Sequence, residues 1–185
     1  MTVAGVVLAG GAGSRFLGAE HKLRAQLRGR PVVAWVLETI EAAGFDQLYV
    51  VSGAEVIDDL VPPTMTVVVN PHWAQGQATS LTAAVGAVEA DGHDAFVVGL
   101  GDQPLVPVSA WRAVAEAGGE IVTATFDGKR RPPVKLGRSV WAALPTSGDA
   151  GARTLMEERS ELVLEIPCRG NPIDIDTVED LRRWS

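Results

Sequence analysis

Short apolar runs rich in β-branched residues recur along the chain, and stretches with helical spacing separate them. Val3–Ala9, Leu48–Val51, Met65–Val69, Asp94–Leu100, Ile121–Phe126 and Leu162–Ile166 read as strands, because each is too short for a helix and rich in residues that suit a pleated surface. Their near-continuous hydrophobicity predicts a sheet covered on both faces, as parallel sheets are. Between them, Val32, Val33, Val36, Leu37 and Ile40 mark one apolar helix face, with Pro31 in a favourable first-turn position and Gly44 as a stop. Leu81, Ala84, Val85 and Val88 mark a second helix, with Thr79 or Ser80 near its start. Trp111, Val114 and Ala115 mark a third, capped by Ser109 and ended by Gly118–Gly119. A last helix starts near Thr177, and its acidic Glu179–Asp180 and basic Arg182–Arg183 suit the helix macrodipole. Alternating strands and helices predict an α/β fold, a three-layer sandwich around a mostly parallel central sheet. Asp127–Gly151, with its glycines, prolines and basic residues, reads as an irregular excursion from that sheet.

Composition narrows the class. At 185 residues the chain is about one domain, and a core of that size needs no disulfide or metal staple. Cys168 is the single cysteine, which excludes an internal disulfide and a cysteine-rich zinc site. The net charge of −7 argues against nucleic acid or an anionic membrane as partner. No apolar run approaches the ~20 residues of a membrane span. Met1–Gly5 lacks the positive start of an export signal, so a cytoplasmic location is expected.

The chemistry begins at the first strand's end. Leu8-Ala9-Gly10-Gly11-Ala12-Gly13-Ser14-Arg15 follows it directly, and in open α/β sheets ligands sit at the carboxyl ends of strands. Glycines there admit backbone amides to a phosphate chain, and Arg15 and Lys22 add positive charge. A tight turn with solvated basic residues is the plainer alternative. Two familiar phosphate loops fail: Phe16 occupies the last glycine position of the dinucleotide pattern, and Ala19 stands where a P-loop needs lysine.

Gly101-Asp102-Gln103-Pro104 closes the fourth strand and aims a carboxylate at the same crevice. Beside a triphosphate such a carboxylate suits Mg²⁺, a hard cation taking one or two carboxylates plus phosphate oxygens. Asp174-Ile175-Asp176 reads as a strand end with both carboxylates on one side, so that either can complete the metal site. Capping of the last helix by Asp176 or Thr177 is the alternative. His21, His72 and His93 lack metal-ligand spacing, and His93 is expected to face solvent in a turn.

Taken together, these residues resemble the molybdenum-cofactor nucleotidyltransferase family. The resemblance rests on the glycine loop with Gly18 and Lys22-Leu23; on Val51-Ser52-Gly53-Ala54; and on Asn70-Pro71-His72-Trp73-Ala74-Gln75-Gly76 with Ser80-Leu81. It continues through Gly101-Asp102-Gln103-Pro104, Gly148–Arg153 and Asp174–Leu181. It implies a Rossmann-like nucleotidyltransferase fold, one domain over residues 1–185. It also implies Mg²⁺-dependent transfer of CMP, or less readily GMP, from an NTP to the terminal phosphate of molybdopterin, with release of pyrophosphate. Leu8, Ala9, Gly10, Gly11, Gly13, Ser14 and Arg15 would hold phosphates, with Lys22 at the α-phosphate and Gly101 beside them. Ser52, Gly53, Gly76 and Ser80 would surround base and ribose. Asp102, with Asp176 or Asp174, would hold the metal. The basic concentration Lys129-Arg130-Arg131, Lys135 and Arg153 would receive the pterin phosphate, unless it is only a solvated hairpin. Transient contact with a molybdoenzyme or chaperone is the implied protein partnership. The loop Arg15-Phe16-Leu17-Gly18 is one residue longer than the family's, and Arg131-Pro132-Pro133 stands where the family has His-Pro. Two other readings stand beside this one: transfer to another phosphorylated small molecule, such as phospholactate or a sugar phosphate, and a catalytically silent nucleotide-binding module.

Overall fold

The computed structural model describes residues 1–185. In chain order the elements are β1 (Val3–Ala9), β2 (Gln26–Leu27), β3 (Arg30–Pro31), α1 (Val32–Ala43), β4 (Gln47–Ser52), β5 (Thr66–Val69) and α2 (Gln77–Ala90). There follow β6 (Ala95–Leu100), α3 (Val108–Glu116), β7 (Ile121–Phe126), β8 (Lys129–Gly137), α4 (Ala152–Glu158), β9 (Val163–Pro167) and α5 (Val178–Trp184). The central sheet runs β5-β4-β1-β6-β8-β7-β9, and β8 alone is antiparallel to its neighbours. Strands β2 and β3 form a separate small hairpin.

Alternate side chains of each strand feed opposite faces, which makes the three layers. Val7, Val50, Val97 and Val122 pack with Val36 and Ile40 of α1 and Trp111 and Val114 of α3. Val6, Tyr49, Phe96 and Val98 pack with Leu81 and Val88 of α2 and Met156 of α4 on the other side. The helix ends follow local chemistry. Gly44 at φ +82° closes α1 in a left-handed conformation that costs other residues energy. Thr177 begins α5 with a full capping box: its hydroxyl accepts from the Asp180 amide, and Asp180 accepts from the Thr177 amide.

Several local expectations change. Helix α2 begins at Gln77 after Gly76, so Thr79 and Ser80 lie inside its first turn, buried, and Asn70 Nδ2 donates to both hydroxyls. Ser109 sits inside α3 rather than capping it. His93 is buried: its Nε2 meets Gln47 Oε1 at 3.2 Å, and its ring stands edge-on to Tyr49. Asp174–Asp176 lies in no strand, although Ile175 is buried between the two aspartates and its amide donates to the Asp102 carbonyl at 2.9 Å.

The largest correction is β8, which runs through the segment expected to be irregular. Asp127 at φ +49° and Gly128 at φ +72° form a two-residue hairpin turn, with Phe126 opposite Lys129. The strand's basic and proline-rich first half hides its periodicity; pairing with β7 and β6 supplies what the sequence pattern lacks. Strand alternation also removes Lys135 from the basic cluster. Its side chain is 1% exposed and lies under α3, where its ammonium donates to the Ala115 and Ala117 carbonyls at that helix's end.

Candidate active site

Leu8 of β1 pairs with Leu100 of β6, so the loops after these strands leave the sheet side by side. The Gly101 amide donates to the Leu8 carbonyl at 2.9 Å, and the next residue, Asp102, faces the glycine loop. Gly53 permits a close crossing: a Cβ there would sit 2.7 Å from both the Gly10 carbonyl oxygen and Trp73 Cβ. His21 ties the loop down. Its Nε2 donates to the Gly11 carbonyl at 3.0 Å, while its Nδ1 lies 3.3 Å from the Leu23 amide. A carbonyl can only accept, which fixes the proton on Nε2.

Lys22 is the centre of the cluster. Its ammonium donates to Asp102 Oδ2 at 2.5 Å and to Asp176 Oδ1 at 2.9 Å. Arg15 Nη2 reaches the other oxygen of Asp176 at 2.9 Å from a side chain 74% exposed. Burial works against the charge on Lys22, but Asp102 and Asp176 outweigh it and hold its pKa above the ordinary lysine value. At Asp174 it is the charged form that is disfavoured. Burial, then the charges of Asp102 and Asp176, raise its pKa, against a hydrogen bond from Gln103 Nε2 at 2.9 Å.

A cavity of about 430 Å³ opens over this cluster. Of the residues singled out in the sequence, Leu8, Ala9, Gly10, Gly11, Arg15 and Lys22 line it on one side. Gly76, Ser80, Asp102, Asp174 and Asp176 also line it. Gly13, Ser14, Ser52, Gly53 and Gly101 do not. Gly13 adopts φ +61° against His21 and Lys22; Ser52 is buried; Gly53 and Gly101 pack against the backbone of Gly10 and Leu8. Gly13, Gly53 and Gly101 thus shape the loop and its crossings. Trp73, Gln77 and Asp149 line the cavity without having been assigned to it. Gly148 accepts from the Ala78 amide at 2.9 Å, which brings the Asp149 loop over Gly76; no local sequence signal announces that contact.

A second chamber of about 170 Å³ adjoins the first, and Leu8, Gln77, Leu100 and Asp174 belong to both. Arg130, Arg131 and Arg153 of the expected basic cluster line it, and Lys129 and Lys135 do not. No group of three or more His, Cys, Asp or Glu side chains is arranged to hold a metal ion unaided. Asp102 nevertheless keeps one buried oxygen, Oδ1, without a partner.

Residues 5–163 match the MobA-like NTP transferase domain. The chain belongs to that family. The chain is 32% identical to the nicotine blue oxidoreductase of Paenarthrobacter nicotinovorans, over 98% of its own length and 95% of that protein's. Its fold superposes on the crystal structure of Rv0371c from Mycobacterium tuberculosis H37Rv with TM-score 0.83 and 29% identity, covering 100% of this chain and 97% of that one. A complex of Rv0371c with manganese gives TM-score 0.80 at 27% identity, covering 100% and 98%. The mostly parallel sheet flanked by helices is thus that of the Rossmann-like nucleotidyltransferases. No helix is long and apolar enough to cross a membrane.

Proposed function

We propose that the chain transfers a nucleoside monophosphate from an NTP to the phosphate of a small molecule, with a divalent metal. The favoured pair is CTP, ahead of GTP, and the terminal phosphate of molybdopterin. One observation carries the reading: the Lys22 ammonium bridges Asp102 and Asp176 in a cavity walled by the glycine loop.

The transfer asks for alignment and charge neutralisation more than for covalent work by the protein. An oxygen of the acceptor phosphate forms a bond to the NTP's α-phosphorus. The bond from that phosphorus to the oxygen bridging to the β-phosphate breaks, and pyrophosphate leaves with that electron pair. The acceptor is already an anion, so no side chain has to remove a proton. Gly11, where a Cβ would meet nothing within 4 Å, leaves the loop's backbone open toward the polyanion, and Arg15, held only by Asp176 at the rim, is free to turn toward the leaving phosphates. Lys22 keeps its charge despite burial and meets charge growing on the α-phosphate oxygens. Metal fits this donor set: Asp102 has an unpartnered buried oxygen, and carboxylates are the hard ligands that Mg²⁺ or Mn²⁺ takes beside phosphate oxygens. Asp102, with Asp176 or Asp174, would hold it. When bound, the ion would supply positive charge shared between nucleotide and acceptor.

The manganese complex of Rv0371c supports metal use, and the family supports the NTP. The test is pyrophosphate release from CTP and GTP with molybdopterin and Mg²⁺, beside thermal midpoints with each NTP. Preferential binding to the folded chain must raise the midpoint. A second reading comes from the relative of nearly equal length that is named an oxidoreductase. A change in the visible absorbance of nicotine blue with a supplied electron donor, without pyrophosphate release in the first assay, would select it. NTP binding with neither turnover would leave a silent nucleotide-binding module.

A further inference from the structure

The transfer reading fills the first chamber and leaves the second for the unreactive body of the acceptor. That second chamber has walls of two kinds. Leu81, Val98, Val134 and Met156 contribute apolar lining. Arg131 and Arg153, both exposed residues, line it too, and neither pairs with a carboxylate. Arg130 differs, because its Nε donates to Glu165 Oε1 at 2.7 Å. In a chain of net charge −7, two uncommitted guanidiniums on one small chamber form a receptor for negative charge.

The two arginines hold different stations. Arg131 also lines the rim shared by Arg15, Asp174 and Asp176, and its charge is felt by Asp174. It stands where an incoming phosphate passes toward Lys22. Arg153 lines the second chamber and not the first, from the first turn of α4. The attacking phosphate belongs beside Lys22, so Arg153 is left for another part of the acceptor. Gln103 adds a polar point to the wall. Its Nε2 donates to Asp174 Oδ1 and lies 3.4 Å from the Pro172 carbonyl, both acceptors, so the amide orientation is fixed and its buried Oε1 is left unpartnered.

We propose that the acceptor carries a second anionic group besides the phosphate that attacks, and that Arg153 holds this group while the acceptor's body lies on the apolar wall. The inference rests on the transfer reading and deepens it: phosphate esters with a neutral body, such as simple sugar phosphates, are disfavoured.

A matched pair of probes tests it on the full chain. 3-Phosphoglycerate and glycerol 3-phosphate share a three-carbon phosphate ester and differ in a carboxylate against a hydroxymethyl group. Binding is measured with Mg²⁺ and without NTP, by thermal midpoint against probe concentration. The carboxylated probe is expected to bind about tenfold tighter, as one charge-assisted pair allows. Arg153→Gln should erase that preference and leave the affinity for glycerol 3-phosphate in place. Arg131→Gln should weaken both probes together. Arg159→Gln, just past α4 and outside both chambers, should change neither. Equal binding of the pair by the wild-type chain, or binding of neither, overturns the proposal. So does a uniform loss with Arg153→Gln that Arg159→Gln reproduces, because that is diffuse attraction. Failure of the NTPs to raise the midpoint, with the probe preference intact, would overturn the transfer reading alone.

Discussion

Lys22 at the carboxyl edge of the sheet and Lys135 beneath α3 are both withdrawn from water, with side chains 12% exposed for Lys22 and the whole residue 1% exposed for Lys135. The partners differ. Lys22 meets two carboxylates, which overcome the burial cost and raise its pKa. Lys135 meets backbone carbonyls, and burial lowers its pKa against a weaker pull from Glu120. The first arrangement stores a positive charge inside an open cavity. The second helps to close the end of a helix, where the last carbonyls lack intrahelical donors and two of those at the end of α3 accept from Lys135. Burial of a lysine therefore says little by itself; the sign of its neighbours and the space beside it separate a group placed for chemistry from one placed for folding.

That contrast breaks most visibly in turnover. Lys22→Ala should lower the transfer rate by about 10²–10³, or about 3–4 kcal/mol, with the thermal transition still cooperative. Lys135→Ala should leave turnover per folded molecule unchanged. A wild-type rate for Lys22→Ala would end the comparison. Asp102→Asn should come next, abolishing the metal dependence of activity in a metal titration while NTP binding persists. Lys135→Ala should then cost about 2 kcal/mol in denaturant unfolding, from unpaired carbonyls and lost packing of its stem.

The pH dependence sharpens the pair by sign. Lys22 has a raised folded pKa, so its contribution is full below the unfolded value of 10.5 and fades as pH rises through the higher folded value. Lys135 has a lowered folded pKa, so stability rises as pH climbs from that value toward 10.5 and the buried charge is relieved. Unfolding of Lys22→Met and Lys135→Met against wild type, from about pH 8 to pH 11, should show opposite slopes. The smallest effect is at Asp174. Its raised pKa means that the ionised form costs the fold, so Asp174→Asn should stabilise by about 1 kcal/mol or less at neutral pH while slowing transfer.

The two regions were unequally legible before the structure. Strands β1 and β7 coincide with their apolar runs, because central strands buried on both faces have no reason to alternate. The glycine loop and Asp102 could be read because each motif ends its own strand and adjacency of β1 and β6 does the rest. Lys135 was misplaced because the basic run Lys129-Arg130-Arg131 lies a few residues before it, whereas its direction is set by alternation along a strand whose prolines concealed it. The Asp127-Gly128 turn carried the missing signal. Trp73 and Asp149 enter the cavity through loop packing across more than seventy residues, and periodicity contains nothing about such contacts. The alternating placement of Asp174 and Asp176 survived although no strand holds them, since the buried Ile175 between them acts as the anchor.

That anchor has a practical consequence. Ile175 packs with Leu27 and Val32, and Leu181 and Trp184 of α5 lie against the same small cluster. Arg28 Nε donates to the Trp184 carbonyl at 2.9 Å. Two of the four carboxylates lining the cavity, Asp174 and Asp176, thus hang on a clasp outside the main sheet. A proteolytic nick between Gly170 and Asp174 would detach them while every strand stayed paired, yielding a chain that still looks native by circular dichroism and has lost its chemistry.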